Sequence, residues 1–262
     1  MSSAVIARAA IVPMFAEPTL RAEQVSQLVL GETAEVLEVS GEWRQVRARL
    51  DRYLGWVHGG YCFRADDAES DAWVRDAVGW SEGAAVRVGE DRVRLPLRAR
   101  VALDGDVVRL PDGRRGRVVE GAVAPAADAG RAARGKAPER WALEHFAGAP
   151  YQWGGVTPCG VDCSGVVQTT FLARGLTLPR DSSLQVECGA PVAADAIRPG
   201  DLLFFRGEGG ARITHVAFAG EGDTLVHSTV ACGGMVHEPW LAGTRAAPLR
   251  ERLVAVRRLE ER

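Results

Sequence analysis

From residue 138 onward the hydrophobic pattern runs helix, helix, then strand after strand, and this order constrains the fold more than any other feature of the chain. Ala142, Leu143, Phe146 and Ala147 recur at helical spacing after Pro138. Cys163–Arg174 reads as a second helix, with Val166, Val167, Thr170 and Phe171 on one face and Gly175 as its stop. Strand-like runs follow at residues 202–205, 213–219, 225–228 and 254–258. Helices first and consecutive strands afterwards predict an α+β domain over 138–262 with an antiparallel sheet.

The chain before it has a different texture. Up to residue 65, short apolar runs alternate with turn signals: Gly31-Glu32, Ser40-Gly41-Glu42 and Asp51-Arg52. Such spacing predicts a small β-barrel over 1–65. Residues 66–125 carry further strand-like fragments around Asp104-Gly105 and Asp112-Gly113, which predicts a second small barrel. Residues 126–137, rich in Ala, Gly and Arg, read as a linker.

Composition removes several classes of function. Lys and Arg number 32 against 34 Asp and Glu, so the net charge of -2 lacks the basic surplus of a nucleic-acid binder. No apolar run approaches the ~18–20 residues that span a bilayer, so no membrane partner is expected. Arg8 interrupts the apolar stretch at 4–12, so no secretory signal is read there and a cytoplasmic protein is expected. Five cysteines, an odd number in a long chain, fit reduced thiols better than a disulfide framework.

The chemistry concentrates around Asp162-Cys163-Ser164-Gly165, at a loop-to-helix junction. A cysteine at a helix start meets free N–H groups and the positive end of the helix dipole, which predicts a depressed thiol pKa and a good nucleophile. Such a thiolate needs a base. His215 lies 52 residues on in one predicted strand, and His227 follows 12 residues later in the next. Cys163 is therefore the expected nucleophile, His215 the base and His227 the group that orients it. Oxyanion stabilisation is expected from the Cys163 backbone N–H. Cys159 and Cys163 could form half of a zinc site with the two histidines, but no second Cys pair completes it, so neither metal nor cofactor is expected. His58, His145 and His237 read as packing or surface groups, and Arg174, Arg180 and the 250–258 arginines as solvated faces.

Two resemblances sharpen this reading. Gly31-Glu32, Gly41-Glu42-Trp43 with Val46, and Tyr53-Leu54-Gly55-Trp56-Val57 resemble the bacterial SH3 pattern over roughly residues 20–62. Tyr151, Trp153, Gly154 and Gly155 open a second set, followed by Asp162-Cys163-Ser164-Gly165 and residues 178–185. Pro199-Gly200-Asp201 with residues 202–205, His215-Val216 and His227 complete it. In that order these pieces resemble the NlpC-type papain-like cysteine peptidases of bacterial cell-wall peptides. Together with an N-terminal SH3 barrel, the chain is similar to the cytoplasmic γ-D-glutamyl-L-diamino acid endopeptidases of murein-peptide recycling.

That resemblance implies hydrolysis of the amide between the γ-carboxyl of D-Glu and meso-diaminopimelate or L-Lys, in peptides with a free N-terminal L-Ala. It implies that Asp162 binds the ammonium, with Glu23 and Tyr53 of the first barrel as further partners. Ser164 and Ser183 (or its neighbour Ser182) would complete the cleft's hydrogen bonds, and Trp153 would form a wall. A monomer acting on a murein peptide is expected. The competing readings are a noncatalytic cell-wall-binding module and an amidase or acyltransferase on another small amide.

Overall fold

The computed structural model describes residues 3–259. They fall into two compact units, one running to Ala129 and one starting at Gly130.

The first unit opens with strands β1 (Ala4–Ala7), β2 (Ile11–Phe15), β3 (Gln24–Val29), β4 (Thr33–Ser40), β5 (Trp43–Ala48), β6 (Leu54–His58) and β7 (Cys62–Ala65). They form one sheet in the order β3-β2-β6-β5-β4-β1-β7. Alternate residues point inward, as a half-buried strand demands. Val5, Val12, Met14, Leu28, Val46 and Val57 thus meet in one core. The Gly41-Glu42 turn closes β4 onto β5, with Ser40 opposite Trp43 and Gly41 at φ +57°.

Helix α1 (Asp67–Asp76) follows, started by a capping box between Asp66 and Glu69. Strands β8 (Gly79–Val88), β9 (Asp91–Asp104), β10 (Val107–Arg109) and β11 (Arg115–Pro125) then close a four-stranded barrel. The buried Glu32–Arg98 pair (Nε to Oε1 2.6 Å) ties β9 to the β3–β4 turn. That turn depends on Gly31, at φ +81°, where a Cβ would lie 2.0 Å from the Arg100 carbonyl oxygen. Most of the expected linker is helical. It forms helix α2 (Ala126–Arg134), because alanine and arginine, read as linker composition, are also strong helix formers.

The second unit contains α3 (Pro138–His145), the hairpin β12 (Val156–Thr157) and β13 (Gly160–Val161), α4 (Cys163–Ala173) and α5 (Ser182–Gln185). Its sheet uses β14 (Ala190–Pro191), β15 (Leu202–Arg206), β16 (Ile213–Ala219), β17 (Thr224–Thr229), β18 (Gly234–Pro239) and β19 (Leu253–Arg258). The order β14-β19-β15-β16-β17-β18 is antiparallel throughout. This is the predicted α+β arrangement.

One expectation about α4 fails. All eleven of its residues are buried, not one face. The segment Cys163–Ala173 contains no charged residue, and a helix without a polar face belongs inside a domain. Arg174, just past its end, is 5% exposed and donates to the carbonyls of Ala133 and Lys136 at 2.7 Å each. Within the sheet, Asp201 just before β15 takes a 2.7 Å bond on each of its two oxygens from Arg258 at the end of β19. Neither arginine is the solvated charge the sequence suggested.

Candidate active site

Cys163 is the first residue of α4, directly after its N-cap Asp162. The backbone N–H groups of Val216 and Ser164 act on its sulfur. Val216 follows His215 on β16, so this contact sets the thiol beside the His215 position. His215 Nε2 lies 2.6 Å from His227 Nδ1, and the ring centroids are 4.9 Å apart. The nucleophile, base and orienter expected from the sequence therefore occupy one place.

The sheet register explains how. Phe218 pairs with Val226 and Ala219 with Leu225; continued along the strands, this sets His227 opposite Ala217, one diagonal step from His215. Both rings project from the same face because their positions share strand parity. The register thus makes the two rings diagonal neighbours across β16 and β17.

Electrostatics differs from expectation at the sulfur. Burial, then the neighbouring Asp162 carboxylate, pushes the Cys163 thiol up to about 12, although the Val216 and Ser164 N–H groups and Arg180 favour the thiolate. The helix-start argument counted only the favourable partners. Burial also lowers His215 to about 4, with Arg245 acting in the same direction. His227 falls to about 2 through burial, then the His215 and Arg245 charges. Both shifts act against a thiolate–imidazolium pair, so burial opposes the activation that the helix start favours.

These depressed imidazoles make the second unit acid-sensitive. The unfolded chain takes up protons at each histidine below about pH 6.5, while the folded site resists them down to about 4 at His215 and about 2 at His227. The neutral-imidazole stabilisation is complete above pH 6.5 and is lost as pH falls through that window. By pH 5 the expected loss is about 2 kcal/mol for each imidazole. Urea midpoints at pH 7 and pH 5, compared between the wild type and His227→Gln, should show the smaller pH dependence in the variant; equal pH dependence would refute the assignment.

Asp162 faces inward. Its Oδ1 receives the Gly165 N–H at 2.8 Å, the Ser164 hydroxyl at 3.2 Å and Arg180 at 3.0 Å. Its Oδ2 receives the Gly154 N–H at 2.8 Å and Arg180 at 2.6 Å. Five donors more than fill the roughly four lone-pair sites of a carboxylate, so Asp162 is a helix cap and the partner of Arg180 before it is anything else. Arg180, read from the sequence as solvated, is 2% exposed. It also donates to the Ser164 hydroxyl at 2.8 Å, which turns Ser164 inward too.

Gly165 permits this knot. A Cβ there would lie 2.1 Å from the Gly155 carbonyl oxygen, which accepts from Arg180 at 3.3 Å. Gln185, fully buried at the end of α5, donates to the carbonyls of Ser164 and Pro179 and so holds residues 179–185 against the start of α4.

The remaining candidates are more scattered. Ser182 is buried and Ser183 half-buried at the start of α5. Trp153 is 56% exposed, as a residue available to a ligand would be. Glu23 and Tyr53 belong to the first unit: Glu23 is exposed just before β3, and half-buried Tyr53 packs against that unit's core. Two residues gained a role only from the coordinates. Tyr151, half-buried, has its phenol pKa raised by burial and by the Cys163 and Asp162 charges, so it shares their electrostatic surroundings. Glu238, on β18, accepts from His227 Nε2 at 2.8 Å. Tyr151 lay within a quoted motif, whereas Glu238 had no local signal.

A thiol heading a buried helix, faced by imidazoles on an antiparallel sheet, defines the papain-like class of fold. Comparison with known proteins agrees at the level of domains. Residues 148–247 match the NlpC/P60 family and residues 14–59 the bacterial dipeptidyl-peptidase SH3 domain, so the chain combines an NlpC/P60 domain with a bacterial SH3 domain.

Among curated proteins, the chain is 43% identical over 84 residues to the γ-D-glutamyl-L-lysine dipeptidyl-peptidase of Bacillus subtilis, covering 32% of this chain and 28% of that one. It is 28% identical over 222 residues to dipeptidyl-peptidase 6 of Lysinibacillus sphaericus, covering 74% and 78%. The first curated relatives are matched over only 25% to 61% of their own length. The fold is shared with an NlpC/P60 family protein from Bacillus cereus, with a TM-score of 0.78 at 20% identity over 98% of this chain and 99% of that one.

Proposed function

We propose that the protein is a cysteine endopeptidase that hydrolyses the amide between the γ-carboxyl of D-Glu and a diamino acid in murein peptides. The observation that carries the reading is Cys163 at the head of α4, linked through the Val216 N–H to β16, where His215 is hydrogen-bonded to His227 of β17. The name of the Bacillus subtilis relative, which pairs γ-D-glutamyl with L-lysine, supports the choice of bond.

In this mechanism the Cys163 sulfur attacks the γ-carbonyl carbon while its proton passes to His215. The Cys163 backbone N–H, in the first turn of α4 and without an intrahelical acceptor, faces the developing oxyanion. The His215 imidazolium then protonates the departing amine. Water, deprotonated by His215, cleaves the thioester and restores the thiol. His227 accepts a hydrogen bond from His215 throughout and keeps the ring aimed. A noncatalytic binding module would not need this connected set.

The reading includes selectivity for a free N-terminal L-Ala and a cytoplasmic role in recycling. The test is L-Ala-γ-D-Glu-meso-diaminopimelate and its L-Lys counterpart, each with and without N-acetylation. Release of L-Ala-D-Glu from the free amines only is expected. Equal cleavage of acetylated and free peptides would remove the amine role and the recycling assignment with it. No cleavage of any of the four would refute the endopeptidase reading.

A further inference from the structure

The proton network does not end at His227. His227 Nε2 lies 2.8 Å from Glu238 Oε1. Arg245 donates to both oxygens of the same carboxylate, its Nε to Oε2 at 2.9 Å and its Nη2 to Oε1. Glu238 is 9% exposed and His227 2%. The β17–β18 register pairs Leu225 with Glu238 and His227 with Val236. Glu238 therefore lies one diagonal step from His227 on the same sheet face, as His227 does from His215. Three neighbouring strands thus carry His215, His227 and Glu238 in file.

From this file we infer that Glu238, held by Arg245, is a positioning residue that sets the tautomers of both active-site histidines. A carboxylate can only accept, so His227 must carry its proton on Nε2. Its Nδ1 is then a lone pair, and His215 must donate to it from Nε2. His215 is left with its lone pair on Nδ1, the ring nitrogen free to take the Cys163 proton. Without Glu238, His227 is free to carry its proton on Nδ1. That proton would point at His215 Nε2, drive the His215 proton onto Nδ1 and block the base. The kinetic part of this inference rests on the function proposed above; the tautomer part does not.

The variants are Glu238→Gln and Glu238→Leu, purified as the full chain, with folding checked by thermal melts. The Gln amide oxygen can still accept from His227, whereas Leu cannot accept at all. ¹⁵N NMR of the histidine ring nitrogens should show Nε2–H on His215 and His227 in the wild type and in Glu238→Gln, and loss of that pattern in Glu238→Leu. With the free L-Ala-γ-D-Glu-L-Lys tripeptide, kcat is expected to fall about 10–100-fold in Glu238→Leu and less in Glu238→Gln, with KM within about twofold. A folded Glu238→Leu that keeps wild-type tautomers, or wild-type kcat, overturns the inference. If the wild type itself leaves the tripeptide intact, the proposed function fails, while the NMR pattern still decides the role of Glu238. Should Glu238→Leu not fold, the wild-type spectrum decides instead: a proton on His227 Nδ1 rather than Nε2 overturns the inference.

Discussion

Cys163→Ala is expected to lower hydrolysis of the free tripeptide by about 10⁴- to 10⁶-fold, the range seen when a nucleophile that works as a unit with its base is removed. In the proposed mechanism the sulfur forms the bond to the γ-carbonyl, and neither the carboxylate nor the hydroxyl beside it is free to replace it. Asp162 is saturated by five donors, and the Ser164 hydroxyl is bound to Arg180. Folding should survive, because alanine at a helix start removes one buried sulfur and leaves the cap at Asp162 intact. The measurement is peptide release by chromatography beside a circular-dichroism melt. Residual turnover within tenfold of wild type would mean that the bond breaks elsewhere.

Arg180→Met should act on stability first. It leaves the Asp162 carboxylate, 6% exposed, beside Cys163 without its guanidinium. Breaking a buried ion pair from one side typically costs ~3–5 kcal/mol, which for a unit of this size corresponds to a fall in Tm of roughly 10 °C or more. Activity should fall as well, since the same change frees Ser164 and loosens the first turn of α4. The pair Asp162→Asn with Arg180→Met should recover part of the lost stability, because no uncompensated charge remains. A single Arg180→Met protein melting within about 2 °C of wild type would show that Asp162 does not depend on its partner.

Much of this molecule could be read from local signals. The capped Cys163 helix and the strands bearing His215 and His227 each announce themselves within a dozen residues, through a turn residue, a period or a short motif. The long-range charge pairs do not. Arg180 sits 18 positions from Asp162, and Arg258 57 from Asp201. Arginine is usually a surface residue, so only the folded chain shows that these two are not. Glu238 was hidden for a different reason. Its place beside His227 follows from the β17–β18 register, which neither strand's own sequence specifies.

The surroundings of α4 were legible and misread. Its lack of any charge pointed to burial on every side, while the apolar spacing at Val166, Val167, Thr170 and Phe171 suggested a single face. The thiol pKa was misjudged because desolvation depends on neighbours that the sequence does not assemble.

The enclosure of α4 limits how this site can change. The helix bearing the sulfur has no side open to water, its first turn is knotted to Asp162 and Arg180, and Arg174 is clamped just beyond its end. A covalent inhibitor must therefore reach a thiol that is only 8% exposed at the head of that helix, which favours a slim warhead. New substrate preferences, whether selected in nature or in the laboratory, should accumulate in exposed rim residues such as Trp153, and almost never in the helix that holds the nucleophile.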